Sequence, residues 1–139
     1  MRYVLDSCVG VKWLLPETGT DKALRIRDAF LQHAHELLAP DIFPVEITHA
    51  LTRAERQGRL TPVRGKVLLK GMLGNLPPLH SSLPILPRAY ELSSQFRVGV
   101  YDCLYVALAE REGCELLTSD DSLHGSLPGH PIVPLATMP

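Results

Sequence analysis

RYVLD, residues 2–6, is a short run of Tyr, Val and Leu side chains that ends in an acid. This composition predicts a buried strand that leads into a loop, with Asp6 at the carboxyl end of the strand. CELLTSD, residues 114–120, repeats the design, because a short apolar segment again ends in an acid, Asp120. A fold that sets these two strands side by side would bring the two carboxylates together.

The rest of the chain alternates between helical and strand patterns. ELLAP (residues 36–40) predicts a second strand that Pro40 stops, and residues 131–133 predict a short final strand. Apolar residues recur at helical spacing in DKALRIRDAFLQHAHEL (residues 21–37), which Thr20 or Asp21 can cap. Further helices are predicted from Pro44 to Gly58, over residues 63–73 after Thr61 and Pro62, over residues 88–96 after Pro87, and from Tyr101 to Glu112 with Gly113 as the C-terminal cap.

This alternation indicates the fold class. Strands that alternate with helices need crossover connections, which predict an α/β fold with a mostly parallel sheet covered by helices on both faces. The length of 139 residues, with 45% hydrophobic and 21% charged residues, predicts a single domain over residues 1–139. The apolar runs are far shorter than the roughly 20 residues that a membrane-spanning helix needs. MRYVLDS (residues 1–7) reaches Asp6 before a signal-peptide core could form, so we expect a cytoplasmic protein with no membrane partner.

Cysteine usage agrees with that compartment. Cys8, Cys103 and Cys114 are an odd number of cysteines and include no CxxC pair. This usage argues against a disulfide framework and against a structural zinc site. We therefore expect three reduced thiols.

The charge of the chain is unevenly distributed. The formal net charge of −1 gives no overall sign of a nucleic-acid binder. Residues 53–70 nevertheless hold six basic residues against Glu55 alone, namely Arg53, Arg56, Arg59, Arg64, Lys66 and Lys70. Such a stretch fits either a rim that contacts nucleic-acid phosphates or a solvated helix face, and composition alone favours the solvated face. On the first interpretation, the residues that contact the nucleic acid are Arg53, Arg56, Arg59 and Lys66.

Four acids carry the functional interpretation. Asp6 and Asp120 follow strands, at the edge of a parallel sheet where ligands bind. Glu46 in FPVEITHAL (residues 43–51) and Asp102 in VGVYDCLYVAL (residues 98–108) interrupt apolar helix starts. A carboxylate in such surroundings is unfavourable unless it is paired or bound to a cation.

Each acid alone has a structural explanation, as a helix cap, a partner of a helix dipole or a turn residue. Together the four describe a negatively charged pocket that divalent cations would neutralise, and oxygen ligands favour Mg²⁺ or Mn²⁺. Such a donor set suits two-metal phosphoryl transfer, with the metals roughly 4 Å apart. The sequence has no GxSxG, GxxxxGK[ST], GxGxxG or HExxH motif that would indicate a competing chemistry.

Four segments of the chain resemble the acidic motifs of PIN-domain ribonucleases, particularly the VapC-type toxins of toxin–antitoxin pairs. They are LDSCVGVKWLLPE (residues 5–17), APDIFPVEITHAL (39–51), VYDCLYVALAE (100–110) and LLTSD (116–120), in the family's order along nearly the whole chain. The resemblance implies a small three-layer α/β/α sandwich and a Mg²⁺- or Mn²⁺-dependent RNA endonuclease. It also implies a homodimer that a cognate antitoxin protein holds inactive.

The resemblance also assigns roles to residues. It implies that Asp6, Glu46, Asp102 and Asp120 are the metal-binding catalytic acids, and that Thr118 is the hydroxyl that helps to order the site. Cys8 stands where many relatives carry Ser, two residues after the first Asp. A thiol is a poorer hydrogen-bond donor than a hydroxyl, which bears on the orientation of Asp6.

Other positions near the motifs have two interpretations each. His49 stands where relatives often have Asn, and Glu46-x-x-His49 is also an element of di-iron sites, but the chain holds only one copy. We expect His49 to contact solvent or phosphate, and Asp121 to be a solvated turn residue rather than a weak metal ligand. The aromatic residues lie in apolar stretches, so we expect core packing rather than base stacking for Tyr3, Trp13, Phe30, Phe43, Tyr90, Phe96, Tyr101 and Tyr105.

Three alternative functions share some of these features. A phosphatase of the haloacid-dehalogenase type also begins with a strand-terminal Asp, but it needs a second Asp where this chain has Cys8. A phospho-acceptor receiver domain needs a late Lys at a strand end, and no Lys follows Lys70. The third alternative is a non-catalytic or regulatory PIN-like RNA-binding protein, against which the four intact acids argue.

Overall fold

A single parallel sheet of five strands organises the computed structural model, which describes residues 1–139. The strands are β1 (Arg2–Leu5), β2 (Glu36–Pro40), β3 (Leu79–His80), β4 (Glu115–Thr118) and β5 (Ile132–Pro134). Their order across the sheet is β3-β2-β1-β4-β5, and every neighbouring pair is parallel. The predicted parallel sheet is confirmed, and it contains no antiparallel strand.

Seven helices connect and cover the strands. They are α1 (Ser7–Val11), α2 (Thr20–Leu31), α3 (Phe43–Arg56), α4 (Pro62–Leu73), α5 (Leu86–Phe96), α6 (Val100–Glu112) and α7 (Asp121–Ser126). The chain steps from β1 to β3 in one direction and from β3 to β5 in the other, so right-handed crossovers place helices on both faces. This is the predicted three-layer α/β/α arrangement. No helix has both the length and the apolar character that crossing a bilayer requires.

The strand order reverses at β1 and β4, which are direct neighbours at the centre of the sheet. Their register pairs Leu5 with Leu117, and the backbone N–H of Asp6 donates to the carbonyl of Leu117 at 3.0 Å. Asp6 and Thr118 therefore leave adjacent strands at the same carboxyl edge. In open parallel sheets this reversal forms the crevice in which ligands bind.

Two helices bring the remaining acids to this edge. Helix α6 contacts β1, β2 and β4, and each residue from Cys103 to Ala109 is buried. Such a helix belongs to the core, and Asp102 lies in its first turn, at the sheet's carboxyl edge. Helix α3 buries Phe43, Ile47, Leu51 and Ala54, a stripe that recurs every three or four residues and leaves Glu46 half-buried beside it.

Gly10 allows α1 to lie close against α3. A Cβ built on Gly10 would be 2.8 Å from Cδ1 of Ile47 and 2.8 Å from Cζ of Phe43. A side chain at residue 10 would therefore have to displace the side chains of Ile47 and Phe43. The close approach matters for the site because Ser7 and Glu46 are on these two helices.

The structure corrects several predicted boundaries. The helical pattern of residues 21–37 ends at Leu31, because His33 has a positive φ of 61° and Glu36 already pairs in β2. Helices α1 and α7 were not predicted, since five and six residues are too few to show a helical period. Strand β3 was also missed, because a two-residue strand at the sheet edge carries no alternation pattern.

Candidate active site

Asp6 is the most deeply buried of the four acids, with 4% of its surface exposed. The hydroxyl of Thr118 donates to its Oδ2 at 2.8 Å, and the backbone N–H of Cys8 donates to its Oδ1 at 3.5 Å. Burial raises the pKa of Asp6 from 3.8 to about 6, and the negative charge of Asp102 adds to this rise. The Thr118 hydrogen bond acts in the opposite direction, since it favours the ionised carboxylate.

Cys8 orients the site through Thr118. Since Thr118 has one hydroxyl hydrogen and gives it to Asp6, the thiol must be the donor across the 3.4 Å between Cys8 Sγ and Thr118 Oγ1. The backbone N–H of Ser119 in turn donates to Cys8 Sγ at 3.4 Å. Burial, reinforced by the charge of Asp6, raises the pKa of the Cys8 thiol to about 11, so it remains protonated. The exchange of Ser for Cys therefore leaves Asp6 oriented by a chain of hydrogen bonds.

Glu46 is fixed through a single oxygen. Its Oε1 accepts a hydrogen bond of 2.7 Å from the phenol of Tyr105 and one of 3.1 Å from the hydroxyl of Ser7. Burial, together with the charge of Glu46, raises the pKa of Tyr105 far above its usual value, so the phenol remains a donor. Oε2 of Glu46 accepts no hydrogen bond and is available to a ligand.

Tyr105 is a site residue that sequence reasoning assigned only to the core. The ring is fully buried, as predicted for core packing, but its hydroxyl reaches Glu46 on another helix. The signal was present in the sequence, because Tyr105 follows Asp102 by three residues and so shares its helix face.

Asp102 connects the four acids electrostatically. It is half-buried, its carboxylate accepts no hydrogen bond, and its pKa is raised by burial and then by the charges of Asp120 and Glu46. Its own charge contributes to the raised pKa of Asp6. Each of the three other acids thus lies close enough to Asp102 for the charge of one to raise the pKa of the other.

Asp120 is exposed and caps α7. Its Oδ1 accepts from the backbone N–H of Ser122 at 3.0 Å and of Leu123 at 3.3 Å, while its own N–H donates to Thr118 Oγ1 at 3.0 Å. The capping role expected of a lone acid is therefore present, and Oδ2 stays free. Asp121 is exposed and makes no side-chain hydrogen bond, as expected of a solvated residue.

The donor chemistry of this cluster fits a hard divalent cation. The four carboxylates and the Thr118 hydroxyl offer oxygen alone. Burial first, and then the charges of neighbouring acids, raise the pKa values of Asp6 and Asp102, and a bound cation would offset both effects. No group of three or more His, Cys, Asp or Glu side chains is placed to hold a metal ion as it stands. The four acids are close enough for their charges to interact, but they do not form a coordination shell. Repulsion between unneutralised carboxylates favours this separation.

An open groove of about 710 Å³ lies beside the acids. Glu46, Ser7 and Cys8 form part of its wall, together with Val45, His49, Tyr101 and Ser119 among others. His49 is exposed there, one helical turn after Glu46, and is accessible to solvent, one of the two contacts expected for it. Tyr101 and Tyr90 are 61% and 71% exposed, so the prediction that they pack in the core is wrong.

The basic residues of the 53–70 stretch lie on different parts of the protein surface. All six are exposed and none forms a salt bridge. Arg53 and Arg59 line a cavity of about 240 Å³ that shares Val11, Glu17 and Ala50 with the groove beside the acids. Lys66 instead lines the crevice between α3 and α4. Arg56 lines none of these three cavities. The predicted RNA-binding set is thus divided by the structure.

Comparison with known proteins agrees with this fold. Ribonuclease VapC3 of Pyrobaculum aerophilum is 31% identical over 130 residues, which covers 92% of this chain and 96% of the relative. The crystal structure of PAE2754 from Pyrobaculum aerophilum superposes with a TM-score of 0.72 at 20% identity, covering 99% of this chain and 91% of that one. VapBC2 of Rickettsia felis, bound to a DNA fragment from its promoter, has a TM-score of 0.69 at 14% identity, covering 96% and 98%.

Residues 3–125 match the sequence model of the PIN domain, and this segment contains all four acids and Thr118. The matched segment runs from β1 through most of α7, so it includes both central strands and both helices that bear acids. The chain belongs to the PIN-domain family.

Proposed function

We propose that this protein is a divalent-metal-dependent RNA endonuclease and the toxin of a toxin–antitoxin pair. One observation carries the proposal: Asp6, Glu46, Asp102 and Asp120 come together at the carboxyl edge of β1 and β4, where the sheet reverses its order, and the charge of Asp102 interacts with those of the other three. Asp6 and Asp120 also cap α1 and α7, but capping does not require four carboxylates to lie close together, where each destabilises the charged forms of the others. The alternative phosphatase and receiver-domain functions lose their basis once the chain belongs to the PIN-domain family.

Asp6, Glu46, Asp102 and Asp120 would hold Mg²⁺ or Mn²⁺. When bound, the cation supplies positive charge that offsets the negative charge developing on the phosphoryl group and on the leaving 3′ oxygen. Thr118 holds Oδ2 of Asp6, so that the buried carboxylate keeps one orientation. Tyr105 and Ser7 hold Oε1 of Glu46 and leave Oε2 directed to a ligand. We expect products that carry a 5′-phosphate.

Arg53 and Arg59 would guide the RNA to the groove. They line the cavity next to it, and neither cation is neutralised by an acid. Elsewhere in the chain most arginines are in salt bridges, for example Arg2 with Glu112 at 3.3 Å and Arg88 with Glu110 at 2.8 Å. Unpaired cations beside an acidic groove are suited to phosphates that approach from outside. Arg56 and Lys66 complete the proposed set on the outer faces.

A homodimer and an antitoxin are the proposed protein partners, and the cytoplasm is the proposed compartment. The antitoxin is supported by similarity to Ribonuclease VapC3 and to the VapBC2 structure. The structure leaves two apolar side chains of α4, Val63 and Val67, exposed to water. Such surfaces are typical of protein contacts. Light scattering of the purified chain, alone and with the product of the neighbouring open reading frame, tests both partners.

The decisive test is cleavage of RNA by purified variants with Mg²⁺ or Mn²⁺. Asp6→Asn and Asp120→Asn keep the side-chain volume and remove a charged ligand, so we expect a loss of about 100-fold or more. Asp121→Asn is the matched control, because Asp121 adjoins Asp120 but is solvated, and it should cleave like the parent. EDTA should abolish cleavage, and full activity in both Asn variants would contradict the proposal.

Thermal unfolding gives an independent measure of metal binding. A cation that binds only the folded chain stabilises it, by about 2.7 kcal/mol at 100 times its dissociation constant. Millimolar Mn²⁺ should raise the unfolding temperature of the parent and of Asp121→Asn, and raise that of Asp102→Asn much less. An unchanged temperature for the parent would show that the four acids bind no divalent cation.

A further inference from the structure

Two exposed apolar side chains stand directly before two of the site acids. Val45 precedes Glu46 in the first turn of α3 and is 66% exposed, and Tyr101 precedes Asp102 in the first turn of α6 and is 61% exposed. Both line the groove of about 710 Å³ beside the acids. The groove thus has an aromatic and an aliphatic residue on different helices, each next to a carboxylate.

The fold does not need these side chains in their positions. The buried core closes around β1, β4 and α6 without Val45 or Tyr101, and the phenol of Tyr101 makes no hydrogen bond. The groove continues between them over Val11 and Ala50. An apolar surface left in water beside a charged centre is a feature of ligand sites, which combine apolar walls with a few polar groups.

The charge of the groove indicates which part of an RNA fits against this wall. Glu17 and Glu46 are the acids that line the groove, and the only Lys or Arg that lines it, Lys12, is already paired with Glu17 at 3.0 Å. Away from the metal-binding acids, the groove therefore offers no unpaired Lys or Arg to a phosphate. A nucleobase is uncharged, flat and apolar on both faces, and it stacks on aromatic side chains whatever its identity. His49 and Ser119 are the polar groups of the same groove that could meet the edge of a base.

We propose that Tyr101 and Val45 hold one unpaired nucleobase of the substrate RNA beside the metal-binding acids. The inference rests on the proposed ribonuclease function and adds to it a binding site for one base. A base that is stacked and paired in a duplex cannot enter the groove, so the bound base is an unpaired one. The stacked base fixes the neighbouring phosphodiester at the acids.

The test measures binding in an Asp120→Asn background, in which Asn preserves the cap of α7 and cleavage is blocked. A short single-stranded RNA with 2-aminopurine at the cleavage position reports stacking by fluorescence quenching. Tyr101→Ala should abolish the quenching and raise Kd by about 5- to 150-fold, the range for one stacked base. Tyr101→Phe should keep both. Tyr90→Ala, which removes an equally exposed tyrosine outside the groove, should bind like the parent.

The salt dependence separates stacking from phosphate contacts. Tyr101→Ala should leave the slope of log Kd against log salt unchanged, because no counterion release is lost. Equal Kd and equal quenching in Tyr101→Ala and Tyr90→Ala would overturn the base site while leaving metal-dependent cleavage intact. Cleavage that is undiminished in Asp6→Asn would instead overturn the ribonuclease assignment, and the two failures are therefore distinguishable.

Discussion

The phenol of Tyr105 donates a 2.7 Å hydrogen bond to Oε1 of Glu46 and so joins the buried centre of α6 to the first turn of α3. Tyr105→Phe removes only this hydroxyl and keeps the ring in the core. Groups that orient a metal ligand typically contribute 10- to 100-fold to metal affinity or activity. We expect the half-maximal Mn²⁺ concentration for cleavage, and Mn²⁺ binding measured by electron paramagnetic resonance, to weaken by about that factor.

A second buried tyrosine provides the control for this variant. Tyr3 lies in β1, is buried, and its hydroxyl bonds to no acid. Tyr3→Phe should leave Mn²⁺ binding unchanged. If both variants bind Mn²⁺ like the parent, Tyr105 is a packing residue and Glu46 is oriented by Ser7.

The pKa of Asp6 predicts how stability of the metal-free chain depends on pH. Between about pH 4 and pH 6 the folded chain retains the Asp6 proton while the unfolded chain releases it, so the free energy of unfolding falls as the pH rises. A rise from 3.8 to about 6 corresponds to at most about 3 kcal/mol. Asp6→Asn should therefore be more stable than the parent at pH 7 in EDTA, with the difference vanishing near pH 4.

Urea unfolding in EDTA at several pH values measures this difference directly. Asp121→Asn, which alters a solvated carboxylate, should follow the parent at each pH. A parent that is as stable as Asp6→Asn at pH 7 would mean that burial does not penalise the ionised Asp6.

The contact of α1 with α3 at Gly10 predicts a substitution that damages both fold and site. Gly10→Ala places a methyl group within 2.8 Å of Ile47 and Phe43, and overpacking of this kind costs about 1–3 kcal/mol. The methyl group displaces the side chains of Ile47 and Phe43, which flank Glu46 in the sequence of α3, so we also expect weaker cleavage. Gly71→Ala, in α4 with open space around its Cβ, should instead stabilise the chain by up to about 1 kcal/mol. Chemical denaturation of both variants checks the contrast.

The division of the basic stretch predicts unequal effects on RNA binding. Arg53→Ala and Arg59→Ala should weaken binding in the Asp120→Asn background and each reduce the salt slope by about one. Lys66→Ala should have a smaller effect, because Lys66 lies in the crevice between α3 and α4. Titrations across a salt series distinguish these variants. Parent-like binding by all three at every salt concentration would identify the stretch as a solvated face.

The placement of the acids could be predicted from sequence because each belongs to a short, strongly apolar pattern. Apolar strands such as RYVL and ELLT are buried in the sheet, so an acid that follows one of them lies at the edge of the sheet. The roles of Tyr101 and Tyr105 could not be predicted in this way. Both lie in one apolar helix, four residues apart, and only the packing of α6 shows that one is exposed in the groove and the other buried against Glu46.

Hydrogen bonds through Cys8 were also beyond prediction from the sequence. A pattern of residue types does not show that a thiol reaches Thr118, which is 110 residues away along the chain. The helices α1 and α7 are similar cases, since they are set by the caps Asp6 and Asp120 rather than by an apolar period.

The pairing of β1 with β4 has a consequence for synthesis of the chain. β1 precedes its neighbour β4 by more than 100 residues along the chain, and Thr118 and Asp120 come with or after β4. A nascent chain that ends before residue 115 has Asp6, Glu46 and Asp102 but neither the central strand that completes the crevice nor the fourth acid. Under the proposed function, the metal-binding site is therefore completed only after β4 has been synthesised and has paired with β1.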